Sequence, residues 1–179
     1  VSGFKKVAVD QSHEEKRSFD LKEYLDEIIL SLRPELKRTR VKLQMDAPEH
    51  LIIDSHPGVL SQIVTNLVLN SLRHGYDEDD TGIIQIRVKQ GYKHLVLEFE
   101  DNGKGIPEEI QPKVFDPFFT TKRGKGGSGL GLHIIFNLVT GTLNGEITCE
   151  SQDDAGTLFI IRIPYTELGT GSRITTDHD

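Results

Sequence analysis

Three groups of residues in this chain have types and spacings suited to chemistry. The first lies on one helix. Gln62, Asn66, Asn70 and Arg73 or His74 fall four, four and three or four residues apart. That spacing sets a polar stripe beside the apolar stripe of Leu60, Ile63, Val64, Leu67 and Val68. Amide oxygens on such a stripe can ligate a hard divalent cation without adding charge to the site. The second group is a carboxylate at a strand end. Leu95, Leu97 and Phe99 alternate, and the same period places Asp101 on their side. A charge aimed at the apolar side is costly unless a donor meets it, from the protein or from a ligand. Gly103 and Gly105 follow it and permit close backbone approach. The third group is Gly124, Gly126, Gly127, Gly129 and Gly131 around Ser128, immediately before the amphipathic run Leu130, Leu132, Ile134, Ile135 and Leu138. Glycines opening a helix expose backbone N–H groups at its positive end, which suits phosphate. Lys122, Arg123 and Lys125 add positive charge nearby. This is not a P-loop, because no Gly-Lys-Ser/Thr ending is present and no strand feeds directly into it.

Each group also has a plainer reading. The polar stripe alone reads as a solvated helix surface, asparagine being an indifferent helix former. Asp101-Asn-Gly is turn chemistry in any protein. Thr157, after Gly156, is an ordinary residue for the start of a strand.

Positioning these groups requires several elements. Asp20 can cap a helix carrying Leu21, Tyr24, Leu25, Ile28, Ile29 and Leu32, which Pro34 helps to end. Val41, Leu43 and Met45 alternate as a strand, and residues 51–54 form a second short one. Residues 57–74 are the strongest helix, with His56-Pro57 at its start. Residues 83–89 and 94–100 are strands joined by a turn at 90–93. The stretch 102–127 is rich in Gly, Pro and Lys and too long for an ordinary connection, which suits a lid. A helix over 130–139, ended by Gly141, and a hairpin of strands 146–150 and 157–163 complete the chain. The expected fold is α+β: a two-layer α/β sandwich with a mixed, mostly antiparallel sheet and helices on one face. Residues 1–16 read as a linker or the end of a preceding helix, 17–164 as the domain, and 165–179 as a tail that frays.

The 179 residues suffice for one domain with a sizeable core. Hydrophobic content of 36% and charged content of 27% fit a globular protein, and a net charge of −7 argues against nucleic-acid binding. No apolar run approaches the roughly 20 residues of a membrane-spanning helix. The single cysteine, Cys149, excludes an internal disulfide framework and fits a reducing, cytoplasmic compartment. It alternates with Ile147 and reads as a structural thiol.

Taken together and in order, four segments resemble the ATP-binding catalytic domain of sensor histidine kinases, within the gyrase-like (GHKL) superfamily. They are Gln62 to Gly75, Asp101-Asn-Gly-Lys-Gly105, Phe115-Asp-Pro-Phe-Phe-Thr-Thr-Lys122 and Gly127-Ser-Gly-Leu-Gly-Leu132. The resemblance covers roughly residues 17–164 and implies the Bergerat-type ATP-binding fold. It implies ATP and Mg²⁺ as ligands, with Asn70 holding the metal and Asn66 near the phosphates. Arg73 would neutralise phosphate charge, and His74 would lie beside the ribose or adenine. Asp101 would read the adenine amino group, with Gly103, Gly105 and Ile106 in the same box and Thr157 supporting the aspartate. Gly127, Ser128, Gly129, Leu130, Gly131 and Leu132 would form the glycine box, and Lys122 would reach the γ-phosphate. Phe115, Phe118 and Phe119 match the phenylalanine box. They either dock when nucleotide orders the lid or form a fixed satellite core.

The gyrase-like and mismatch-repair ATPases carry a water-activating glutamate four residues before the metal asparagine. Here that position is Asn66, which cannot act as a general base. This fits an enzyme that hands the γ-phosphoryl group to another acceptor. The implied partners are a histidine-bearing dimerisation domain and a response-regulator receiver domain. A phosphoacceptor box is not found: His13-Glu14 lacks the following proline, while His133 and His178 lie in a helix and in the tail. Two alternatives stand beside this reading. One is an anti-sigma-factor type serine kinase, suggested by Arg73-His-Gly-Tyr76. The other is a non-catalytic nucleotide-sensing module.

Overall fold

Alternation along the strands explains the architecture. In a computed structural model, which describes residues 15–121 and 129–165, strands β2 (Arg40–Asp46), β4 (Thr81–Gln90), β5 (His94–Asp101), β6 (Glu146–Ser151) and β7 (Thr157–Pro164) form one sheet. Their order is β2-β4-β5-β7-β6. The β2–β4 pair is parallel and the remaining pairs are antiparallel, so the sheet is mixed and mostly antiparallel, as expected. Inward positions of β4, β5 and β7 carry Ile84, Ile86, Val88, Leu95, Leu97, Phe99, Phe159, Ile161 and Ile163, all buried. The opposite face is polar. There Arg87 donates to Glu98 at 3.0 Å and to Glu100 at 2.6 Å, and Lys89 donates to Glu98 at 2.6 Å.

Helices α1 (Leu21–Leu36), α2 (Pro57–Asn70) and α3 (Gly131–Asn137) share one apolar cluster with the inward sheet face. Asp20 caps α1 by accepting from the Glu23 backbone N–H at 3.1 Å, and Leu21, Tyr24, Leu25, Ile28 and Leu32 are the buried stripe. Pro34 does not end this helix. It sits near its last turn, where it removes only one backbone bond, and Lys37 N–H still reaches the Arg33 carbonyl at 2.9 Å. The short strand β3 (Ile52–Ser55) begins one residue later than expected. It pairs antiparallel with β1 (Arg17–Asp20), an element outside the expected set, placing Phe19 opposite Ile53. Both long-helix ends differ from expectation. Helix α2 passes into a π turn at Ser71–Gly75, and α3 into one at Leu138–Thr142. Such wide turns insert an extra residue and are frequent at functional sites.

The segments 1–14, 122–128 and 166–179 lie outside the described residues, and with them His13, Lys122, Arg123, Lys125, Gly127, Ser128 and His178. Among the described residues no helix is long and apolar enough to cross a membrane.

Leu67 is fully buried where α2 meets the rest of the core. Leu67→Ala is expected to cost about 2–5 kcal/mol, from lost transfer energy plus the cavity left behind. It should lower the urea midpoint without changing the slope, and an unchanged midpoint would contradict this packing.

Candidate functional site

The carboxyl end of β5 opens into a cleft of about 650 Å³. Four walls surround it. The end of α2 and its π turn contribute Asn66, Asn70, Ser71, Arg73 and His74; the strand ends contribute Asp101, Thr157 and Phe159. The loop after β5 contributes Gly105, Ile106 and Ile110, and the approach to α3 contributes Phe119, Thr121, Gly129, Leu130, Gly131 and Leu132. The structure thus brings twelve residues singled out from the sequence to one cleft: Asn66, Asn70, Arg73, His74, Asp101, Gly105, Ile106, Gly129, Leu130, Gly131, Leu132 and Thr157. Gly103 stands behind the lining. Lys122, Gly127 and Ser128 lie outside the described residues.

Asp101 is the floor of the cleft. Its alternation with Leu95, Leu97 and Phe99 continues to the strand end, leaving it only 5% exposed. Ser71 Oγ donates to its Oδ2 at 2.5 Å and Gly103 N–H to its Oδ1 at 3.0 Å. Burial pushes the Asp101 carboxyl above the usual carboxylate range, against the lowering effect of Ser71, Gly103 and the Thr157 backbone. Nearby, burial and the Asp101 charge push the Tyr76 phenol up to about 12. The same two causes, with Glu150 added, push the Cys149 thiol up to about 12, so that thiol stays protonated and inert at neutral pH.

The loop after Asp101 is held by close backbone approach. Lys104 N–H donates to the Gly75 carbonyl at 2.9 Å, and a Cβ on Gly103 would lie 2.4 Å from that same oxygen. Gly105 has φ +73°, and a Cβ there would lie 2.0 Å from the Gln152 carbonyl. Only glycine suits either position. Ser151 ties this loop to the sheet. Its Oγ accepts from Ile106 N–H at 2.8 Å and donates to the Gly156 carbonyl at 2.7 Å. The Thr157 hydroxyl lies 3.0 Å from Ser151 Oγ. The hydroxyl that reaches Asp101 directly is therefore that of Ser71. The sequence reading assigned Ser71 no role; its only signal was a hydroxyl next to Asn70.

The three lid phenylalanines have three fates. Phe115 packs on Phe136 and Phe159, with ring centroids 5.6 and 6.3 Å away, so it is part of a satellite core. Phe119 lines the cleft. Phe118 is 63% exposed with φ +64°. His133 braces the first of these. Its Nδ1–H donates to the Phe115 carbonyl at 3.0 Å and its Nε2 accepts from Asn137 at 3.1 Å, a tautomer assigned from this network. Across the cleft mouth, Thr121 Oγ1 stands 3.5 Å from His74 Nδ1.

Asn70 is the residue best suited to a cation. Its Nδ2 is buried without a hydrogen-bond partner among the described residues, so the fold does not use that donor. The amide atoms would sit 3.2–3.3 Å from a Cβ on Gly131. No cluster of three or more His, Cys, Asp or Glu side chains among the described residues could hold a metal. A cation here would depend on amide oxygen, phosphate oxygens and water, the set that Mg²⁺ prefers.

A cleft built on a strand-end carboxylate, an asparagine-bearing helix and a glycine-led helix can be compared with known proteins. Residues 55–167 match the family described as histidine kinase-, DNA gyrase B-, and HSP90-like ATPase. The chain belongs to this ATPase family. Its form within the family is the ATP-binding domain of sensor histidine kinases. The sensor histidine kinase RcsC of Escherichia coli is 30% identical over 172 residues, covering 92% of this chain and 17% of that protein. The sensor histidine kinase YclK of Bacillus subtilis is 29% identical over 168 residues, covering 91% and 34%. The solved catalytic domain of histidine kinase ThkA superposes with a TM-score of 0.73 at 29% identity, covering 84% of this chain and 95% of that one. The chain thus spans between about a sixth and a third of these curated relatives, yet nearly all of the solved catalytic domain. These relatives do not favour the serine-kinase alternative.

In this ATPase-family domain the Asp101 carboxyl has a folded-state pKa above its ordinary 3.8. The native chain therefore holds that proton more tightly than the unfolded chain. Stability falls as pH rises from 3.8 through the folded value, and the ionised group is a net cost at neutral pH. Asp101→Asn, which resembles the protonated form, is expected to match or exceed the natural chain in urea midpoint at neutral pH. The difference should shrink as pH falls toward 3.8. A variant less stable at every pH would contradict the sign.

Proposed function

We propose that this domain binds Mg²⁺-ATP in the cleft and presents the γ-phosphoryl group to a histidine on a dimerisation domain, with a response-regulator receiver domain as the later acceptor. The observation that carries this reading is Asp101: a buried carboxylate at the floor of a large cleft, held for an outside donor. The adenine 6-amino group is that donor. Arg73 and the backbone at Gly129 and Gly131 supply positive potential for phosphate at the other end of the cleft. His74 lies at the mouth, on the ribose side. Lys122, Gly127 and Ser128 complete the phosphate contacts.

Mg²⁺ would be held by Asn70 together with phosphate oxygens, and would supply charge neutralisation at the triphosphate. Asn66, one turn earlier, has no basic group to activate water, which favours transfer over hydrolysis. In the transfer, the bond from γ-phosphorus to the bridging oxygen breaks as a bond from phosphorus to the acceptor imidazole nitrogen forms, and ADP leaves. The domain's own residues position the triphosphate and neutralise its charge, as phosphoryl transfer requires.

Calorimetric titration with a non-hydrolysable ATP analogue, with and without Mg²⁺, tests the binding. The natural chain should bind more tightly with Mg²⁺. Asp101→Asn should lose about 10- to 100-fold, the worth of one hydrogen bond to a charged group. No binding by the natural chain would end the proposal. For the transfer, γ-labelled ATP should label the histidine of an added sensor-kinase dimerisation domain, in an acid-labile, base-stable form. Label on serine instead would redirect the reading to the rival kinase.

A further inference from the structure

We propose that Ser71 is a positioning residue for nucleobase selection: its hydroxyl fixes the Asp101 carboxylate so that its remaining acceptor positions face a base amino group. This rests on reading the cleft as a nucleotide site. Both side chains are 5% exposed, and they come from elements thirty residues apart in the chain. Ser71 ends α2 with helical dihedrals and its N–H on the Leu67 carbonyl, so the helix itself delivers it to the strand end.

The accounting of acceptor sites gives the inference its content. An ionised carboxylate accepts at about four lone-pair positions. Ser71 Oγ takes one on Oδ2 and Gly103 N–H takes one on Oδ1. About two positions are left for donors from a ligand. Gripping both oxygens also stops the carboxylate from turning about its own axis, so those positions point in fixed directions.

The direction of the Ser71 proton is settled by its partner. An ionised carboxylate only accepts, so the hydroxyl must donate to it, and Ser71 then presents only lone pairs to the cleft. Floor and neighbour are both acceptors. A base edge carrying an amino group is matched, and one carrying a carbonyl is opposed. Without the hydroxyl, burial would act on Asp101 against fewer donors. The carboxyl would take up a proton or rotate, and the acceptor aimed at the base would be lost.

The test is a comparison of nucleotides that differ at the six-position, inosine differing also in the proton on N1. ADP, purine riboside diphosphate, which lacks the amino group, and inosine diphosphate are titrated against the natural chain, Ser71→Ala and Ser71→Cys. The natural chain should bind ADP about tenfold or more tightly than the purine riboside form. Both variants should lower that ratio at least about threefold while leaving purine riboside affinity within about twofold. They should also narrow the gap between ADP and inosine diphosphate. Equal weakening for all three nucleotides would mean that Ser71 only supports the fold, and would overturn the proposal, as would an unchanged ratio. The cysteine variant keeps the size and replaces a strong donor by a weak one, so it carries the test if Ser71→Ala does not fold. Failure of both to fold would also assign Ser71 to the core. Should the natural chain bind none of the three, the nucleotide reading falls, and this inference with it. Binding with an unaffected ratio would remove the inference alone.

Discussion

A carboxylate kept at the bottom of an otherwise apolar wall organises this domain. The sheet delivers Asp101 inward because the period that buries Leu95, Leu97 and Phe99 does not stop before the strand end. Desolvation disfavours the charge there, and it is tolerated because donors converge on it from the end of α2 and from its own loop. Each of those donors ties a separate element to one point. The cleft is therefore not a gap left between helices and sheet, but a surface whose shape is fixed by the hydrogen-bonding needs of one group.

The same point fixes the surrounding backbone. The loop after β5 runs so close to the end of α2 and to the β6–β7 connection that side chains on Gly103 and Gly105 would overlap carbonyl oxygens. Ser151 then links the loop to Gly156 and Thr157, so the floor and one side wall move as a unit. Stability and function pull in opposite directions at Asp101. The free domain bears the cost of a buried charge, and a ligand donor would offset it. Active sites commonly carry such a cost.

The strands and helices that form the sandwich were legible because their periods run over many residues: the alternation in β5 and β7, and the apolar stripes of α1 and α2. The membership of the cleft was legible for a different reason. Each group alone has a plainer reading, but the four segments in that order resemble one nucleotide site. Ser71 was not legible. It stands one residue past Asn70, off the polar stripe, and its partner lies thirty residues away; only the packing of α2 against the sheet, a tertiary outcome, brings the two together. Strand β1 was missed because Arg17–Asp20 carries a single apolar residue, Phe19, and so displays no period. Pro34 misled because its position relative to the helix end, rather than its identity, decides whether it breaks the helix. The split fates of Phe115, Phe118 and Phe119 depend on contacts with α3 and β7 that no local pattern encodes.

An open five-stranded sheet has two rims. Here they are β2 and β6, each with one side of its backbone unpaired by the sheet. A bare rim is an invitation for another chain to add a strand. The outward positions of these two strands answer it with charge: Arg40, Lys42 and Asp46 on one, Glu146 and Glu150 on the other. Charges on edge strands discourage edge-to-edge pairing and the aggregation that follows from it. The sheets of neighbouring copies are therefore kept from zipping into one another, even at high local concentration.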